Sequence, residues 1–370
     1  MTGTNAVMNL TAYGRTMLVG GGKPYYGKSY VSGNAEFLEK YDEINSYFLE
    51  NSTRKLSTVM VNGKSQNYKN YVFNDDGSAA DTDGDGDIDD EGTRLGSASS
   101  DKLDALWYSD EAFDYIDGTW DGGYNEVYDR EPSLVQKKSS DSGAISKDAV
   151  HNRSVIFVKD AECWVVLDKM TGGNKEKNKY SGIWNFAAYE DGNKVLTGYK
   201  ESMVNIDEEN NMIYTSDPNG PDLFIKCFSN RQLSFKKYFG YYEKGKIGLG
   251  WVNRGNFTEL GNNAPRVDVH AEWEDNGNGD ISLAAFLLTP SRNAENPVIS
   301  YTDLSDNDGI SFSAEFKNGM VLSFDAAKNR SDLSADGALA SGKMMIAARK
   351  NGMPKKIMIV DDSIRVYEED

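Results

Sequence analysis

The chain has 370 residues, 40 basic against 58 acidic, and a formal net charge of −18. That balance excludes general nucleic-acid binding, which needs a basic footprint. With 39% hydrophobic residues and 21 Tyr there is material for a substantial core, while no apolar run reaches membrane-spanning length.

The 36 Gly against 8 Pro suit many tight turns between strands. Residues 1–10 lack the charged start and apolar stretch of a signal peptide. Residues 6–10 and Arg15–Val19 pattern as two strands joined through Ala12-Tyr13-Gly14. Beyond Gly20-Gly21-Gly22 the period changes. Phe37, Leu38, Tyr41, Ile44, Tyr47 and Phe48 recur at helical spacing behind a capping Asn34, which predicts one surface helix near 35–50. Residues 58–61 form a short strand closed by Asn62-Gly63. An Asp, Gly and Ser-rich insert follows at 74–101, with the chain's densest negative charge, and 131–146 is a polar linker.

The stretch 151–172 is the centre of the pattern. Two apolar runs, 155–158 and 163–167, flank the polar turn 159–162 and predict a hairpin. Ile156 and Val158 lie on one side of the first strand, Val155 and Phe157 on the other. A strand apolar on both faces belongs in the middle of a layered structure. Short strands then follow at 182–186, 195–199, 212–214, 223–227, 233–238, 247–252, 267–273 and 281–288. After a boundary at 290–297, five more follow between 298 and 360. Many strands and one helix predict an all-β fold: a large antiparallel β-sandwich over 1–290, followed by a smaller β-sheet unit over 291–370.

Several motifs compete for a function. Gly22 to Ser29 fits the phosphate-binding expression G-x-x-x-x-G-K-[ST], and 357–361 imitates the strand ending in Asp that holds magnesium. The mechanism needs a helix starting at Lys28, and Gly33-Asn34 interrupts there, so nucleotide binding is set aside. Asp81, Asp83, Asp85, Asp87 and Asp89 place carboxylates on alternate residues, with Gly86 sixth and Ile88 eighth, as in the first half of a calcium loop. The twelfth position is Gly92 rather than a bidentate Glu. Such mutually repelling carboxylates favour a calcium ion that orders the loop. His151 and His270, the only histidines, have no ligand or triad partner at a useful spacing and are read as structural. Cys163 and Cys227 lie in apolar runs and are read as buried thiols, a single disulfide being the alternative. Residues 223–254 are locally basic with interleaved aromatics. Lys236, Lys237, Tyr241, Tyr242, Trp251 and Arg254 are the candidate contacts for an anionic polysaccharide. Ordinary hairpins with solvated lysines are the plainer account of the same pattern.

Taken in order, the segments resemble the β-sandwich half of the heparinase II/III-like polysaccharide lyases. The likeness rests on residues 5–15 with Met17-Leu18-Val19, on 57–66 ending in Asn62-Gly63-Lys64-Ser65-Gln66, and on 113–118 followed by Gly123-Tyr124. It is closest over His151-Asn152-Arg153 with the run after it, Trp164 to Asp168, and Trp184. The resemblance implies β-elimination at a uronic acid in a cleft between this sandwich and an N-terminal (α/α) toroid absent from this sequence. Tyr and His would move the protons, and Asn or His would hold the carboxylate. It also implies a metal held in the sandwich by His and Asp. This chain instead has Gly20 after the Leu-Val run, Leu56-Ser57 before the Thr-Val strand, and Asn185 after Trp184, so that metal site is not matched. Neither is any catalytic residue. The expectation is therefore the β-sandwich part of a lyase for uronic-acid polysaccharides, inactive without the toroid and periplasmic or secreted by family likeness. The alternative is a non-catalytic carbohydrate-binding or structural sandwich with a calcium-ordered loop.

Overall fold

The computed structural model describes residues 5–7, 9–20, 53–66, 105–121, 123–125, 148–173, 176–189, 198–241, 249–253, 263–329 and 331–369. Among them every regular element is a strand or a short 3-10 turn. The fold is all-β, as the turn-punctuated sequence predicts. The helix near 35–50, the glycine-rich phosphate-type motif, the insert 74–101 and the linker 131–146 lie outside the described residues.

Three antiparallel sheets stack as layers. The middle one has eight strands, in the spatial order Val204–Asp207, Met212–Thr215, Asp222–Ser229, Ile281–Ser291, Cys163–Gly172, Ala149–Val158, Phe113–Trp120 and Trp107–Ser109. On one side lies a four-stranded sheet of Ser234–Phe239, Val267–Glu274, Lys179–Asn185 and Val59–Val61. On the other lies a six-stranded sheet running in chain order from Val298–Asp303 to Ile364–Glu369.

The predicted hairpin is the pair at the centre of the middle sheet, in register from Ala149 opposite Gly172 to Val158 opposite Cys163. Its turn is a 3-10 turn, Lys159–Ala161, closed by Glu162 in the left-handed region. The two-sided apolar pattern has the predicted cause. Val155, Val166 and Met170 pack toward the four-stranded sheet, while Ile156, Val158, Val165 and Leu167 pack toward the six-stranded one. Burying each such side chain contributes roughly 1.5–3 kcal/mol.

Aromatic contacts join the layers. Trp184 meets Phe286 edge-on at 5.0 Å on one side, and Phe228 stacks on Phe312 at 4.0 Å on the other. Cys227 faces the four-stranded side and Cys163 the six-stranded side, so the middle sheet separates two free buried thiols. The alternative of a disulfide is excluded by that geometry. The Asn62-Gly63 turn takes positive φ at both residues, as a two-residue hairpin turn requires. No helix of the described residues is long and apolar enough to cross a membrane.

Candidate functional site: a polar sheet face

Two polar constellations stand out, one between the layers and one on the far face of the four-stranded sheet. Inside, Arg153 and Asp168 are direct cross-strand partners on the middle sheet, and His151 sits diagonally beside them. The Arg153 guanidinium donates to both Asp168 oxygens, at 2.6 and 2.8 Å, and to the Ser57 carbonyl at 2.6 Å, which ties the middle sheet to the segment leading into Val59–Val61. His151 Nε2 lies 2.7 Å from Asp168 Oδ1. Burial alone would raise the Asp168 carboxyl, but the Arg153 charge and then His151 outweigh it and hold it at about 2. Burial also pushes the His151 imidazole below its ordinary value, so the neutral ring donates from Nε2 and leaves Nδ1 without a partner among the described residues. All three side chains are buried, so the network is a clamp between layers, out of reach of a polymer.

The outer constellation arises from strict alternation along Val267–Glu274. Val267, Val269, Ala271 and Trp273 point into the core, which sends Asp268, His270, Glu272 and Glu274 to the far face of the four-stranded sheet. Neighbouring strands add Asn185 opposite Asp268, Ser181 and Ser234 opposite Glu272, Lys236 opposite His270, and Tyr238 opposite Asp268. The Tyr238 ring meets His270 edge-on at 4.9 Å and Tyr241 at 5.3 Å. Glu272 is held by Lys179 at 2.9 Å and Lys236 at 3.0 Å, both half-exposed. Burial pushes the His270 imidazole down to about 3; Arg54, Lys236 and Lys179 push the same way and Glu272 opposes them. Its Nε2 and the Asn185 Oδ1 are buried without partners among the described residues. The face thus offers a neutral imidazole and an amide oxygen with spare hydrogen-bonding capacity, flanked by tyrosines and lysines.

Beside them Arg266 is fully buried, an ion pair at 2.8 Å from Asp268. Its guanidinium donates to the carbonyls of Val19, at 2.9 Å, and Lys55, at 3.2 Å. Asn185 donates to Asp268 at 2.8 Å and to the Arg54 carbonyl at 3.2 Å. The three places where the family resemblance implies a metal, at Gly20, Leu56-Ser57 and Asn185, therefore surround an arginine. They supply no imidazole or carboxylate, and the residues present do not fit a metal ion. Among the described residues no three His, Cys, Asp or Glu gather as a ligand set.

The structure brings only part of the sequence-predicted surface together. Lys236 and Tyr241 belong to the outer face, but Lys237 turns to the opposite side and donates to the Val204 carbonyl at 3.3 Å. Trp251 opens the strand Trp251–Asn253, next to Gly250, whose amide donates to Asp268. Tyr242 and Arg254 lie outside the described residues, as do Asp81, Asp83, Asp85, Asp87 and Asp89, the expected calcium ligands. Tyr238, His270, Asn185 and Glu272 were not among the candidates. The signal that could have found them is the polar alternation of Val267–Glu274, unusual for a strand whose every residue but the last is buried.

No protein-family model matches the chain, and no curated protein matches it. Solved structures do. The fold is similar to that of a heparan sulfate lyase, HepC from Pedobacter heparinus, at 15% identity and a TM-score of 0.47, over 89% of this chain and 36% of that one. It is also similar to a heparinase III at 11% identity and a TM-score of 0.47, over 91% of this chain and 34% of the other. The likeness is remote and is one of fold. It runs over most of this chain, which spans about a third of the length of those proteins.

Proposed function

We propose that this chain is the β part of a polysaccharide lyase acting by β-elimination on uronic-acid-containing anionic polysaccharides, with the outer face of the four-stranded sheet as a wall of the sugar-binding cleft. The observation that carries this is the partly exposed rim of that face, Tyr238, Lys179 and Lys236, around a buried His270 and Asn185. A phenol and an imidazole are in ring contact, and an unpartnered amide oxygen lies on the same face. A phenol and an imidazole are groups that can move protons, the free Asn185 oxygen can accept from a sugar hydroxyl, and the half-exposed Lys179 and Lys236 set positive charge at the rim to attract a carboxylate. The order of sequence segments resembling the heparinase II/III-like lyases supports the same reading. In it the chain alone binds polymer without cleaving it, and the parent protein is periplasmic or secreted. A second reading, a non-catalytic carbohydrate-binding sandwich, draws on the burial of both histidines, which leaves no accessible imidazole among the described residues.

Binding of alginate and heparin fragments to the full chain tests the proposal, followed by calorimetry and by the ultraviolet absorbance of the unsaturated uronate. Expected is binding without absorbance change, weakened about tenfold, or about 1.4 kcal/mol, by Lys236→Ala combined with Tyr238→Phe. Binding that ignores both substitutions removes the surface from the proposal. Product formed by the chain alone removes its dependence on further residues.

A further inference from the structure

Arg266 stands between the strands Asn263–Pro265 and Val267–Glu274 with its side chain wholly buried. A guanidinium carries a charge that it cannot shed, so its burial has to be answered by acceptors placed around it. The fold places three. Asp268 lies 2.8 Å from Nε, the Val19 carbonyl 2.9 Å from Nη1 and the Lys55 carbonyl 3.2 Å from Nη2. The backbone is fixed at the same point: the Arg266 amide donates to the Gly250 carbonyl at 2.8 Å, and the Gly250 amide donates to Asp268 at 2.6 Å. Gly250 has a φ of +74°, and a Cβ there would sit 2.6 Å from the Gly240 nitrogen, so glycine alone brings that amide to the carboxylate.

The acceptors come from three separate stretches of chain. Val19 ends the strand Arg15–Val19, Lys55 ends the 3-10 turn Thr53–Lys55, and Asp268 belongs to the four-stranded sheet. Val19 and Lys55 are also the residues immediately before Gly20 and Leu56-Ser57, and Asn185 donates to Asp268 at 2.8 Å. The three places where the family likeness implies metal ligands therefore converge on one organic cation. A metal ion there would meet a fixed positive charge in place of imidazoles.

We propose that the Arg266 guanidinium is the built-in cation of this part of the fold. In place of a metal ion it fastens Arg15–Val19 and Thr53–Lys55 to the four-stranded sheet, and the sandwich holds together without a transition metal. A planar fork with five donors reaches a carboxylate and two carbonyls in different directions, which the compact ammonium of a lysine does not. The role concerns how the layer is held, and it stands whether or not the outer face binds sugar.

Elemental analysis and urea unfolding of the full chain test it. Expected is no stoichiometric transition metal, and a wild-type midpoint that neither zinc nor phenanthroline moves; phenanthroline leaves calcium alone, so the acidic insert does not enter the reading. Arg266→Ala is expected to lower the midpoint by about 1 M, because Asp268 is left buried without its counter-charge. Methylguanidinium restores a large part of that loss in the variant and changes nothing in the wild type, and Arg266→Lys stays well below the wild type. A stoichiometric metal, a midpoint lowered by phenanthroline, wild-type stability in either variant, or a loss that methylguanidinium leaves untouched overturns the proposal. Should Arg266→Ala not fold, nuclear magnetic resonance of the wild type decides: the Arg266 Nε proton must exchange with solvent far more slowly than those of exposed arginines, and equal exchange overturns the proposal.

Discussion

His270 shows how a single side chain carries both a clue and a cost. Burial holds its imidazole neutral with a pKa of about 3, against an ordinary value near 6.5. Below pH 6.5 the unfolded chain takes up a proton that the folded chain refuses, so the folded state loses stability as pH falls from there toward 3. His151, also pushed down by burial, acts in the same direction. Asp168 works in a lower window. Its carboxyl is held at about 2, so its stabilisation is complete above the unfolded value near 3.9 and is lost as pH falls toward 2. Between pH 7.5 and 5 the two histidines therefore dominate over Asp168. The urea midpoint of the wild type is expected to fall over that interval, with His270 responsible for about 2 kcal/mol. In His270→Gln the fall shrinks by about that amount; an equal fall in both proteins would show that His270 is not held neutral by the fold.

At the level of elements, what sequence could disclose depended on whether a pattern had one physical cause. The hairpin at 149–172 was legible because apolar residues on both faces of a short strand have few explanations besides a middle layer. The strand Val267–Glu274 was half legible. Its alternation separates Asp268, His270 and Glu272 from the core-facing residues, but their burial depends on what covers the far face, which no local pattern discloses. Lys236 and Lys237 share one basic stretch of sequence, but adjacent strand residues point to opposite faces, and the period of two divides them. Pairing of Arg153 with Asp168 was hidden because it depends on register across a hairpin, and Arg266 because its partners lie about 250 and 210 residues away. The close approach of two sheets at Gly182 was equally invisible. A Cβ there would sit 3.2 Å from both the Phe286 and Trp273 rings. Gly182→Val is accordingly expected to cost about 1–3 kcal/mol by overpacking, read from the urea midpoint. A neutral result would mean that the rings yield freely and that the layer spacing is not set there.

At the scale of the whole molecule, the middle sheet is the only layer that contributes to both large cores. The four-stranded sheet completes one through Trp184 and Val269, and the six-stranded sheet completes the other through Phe312 and Phe324. The faces that the two outer sheets turn toward the middle one are therefore buried only by it, although the six-stranded sheet covers its other face with the hairpin Asp332–Ala335 and Ala338–Ser341, and damage on one side should be felt on the other. The six tryptophans offer a direct probe, since all lie before residue 291 and none in the six-stranded sheet. Phe312 stacks on Phe228 across the second interface, and Phe312→Ala removes that contact at a cost of about 3–5 kcal/mol. If the layers unfold as one unit, this substitution lowers the midpoint reported by tryptophan fluorescence as far as the midpoint reported by far-ultraviolet circular dichroism. If the tryptophan midpoint stays at the wild-type value while the dichroism splits into two steps, the six-stranded sheet unfolds by itself. The middle sheet would then tolerate one bare face, contrary to the apolar character of Ile156, Val165 and Leu287.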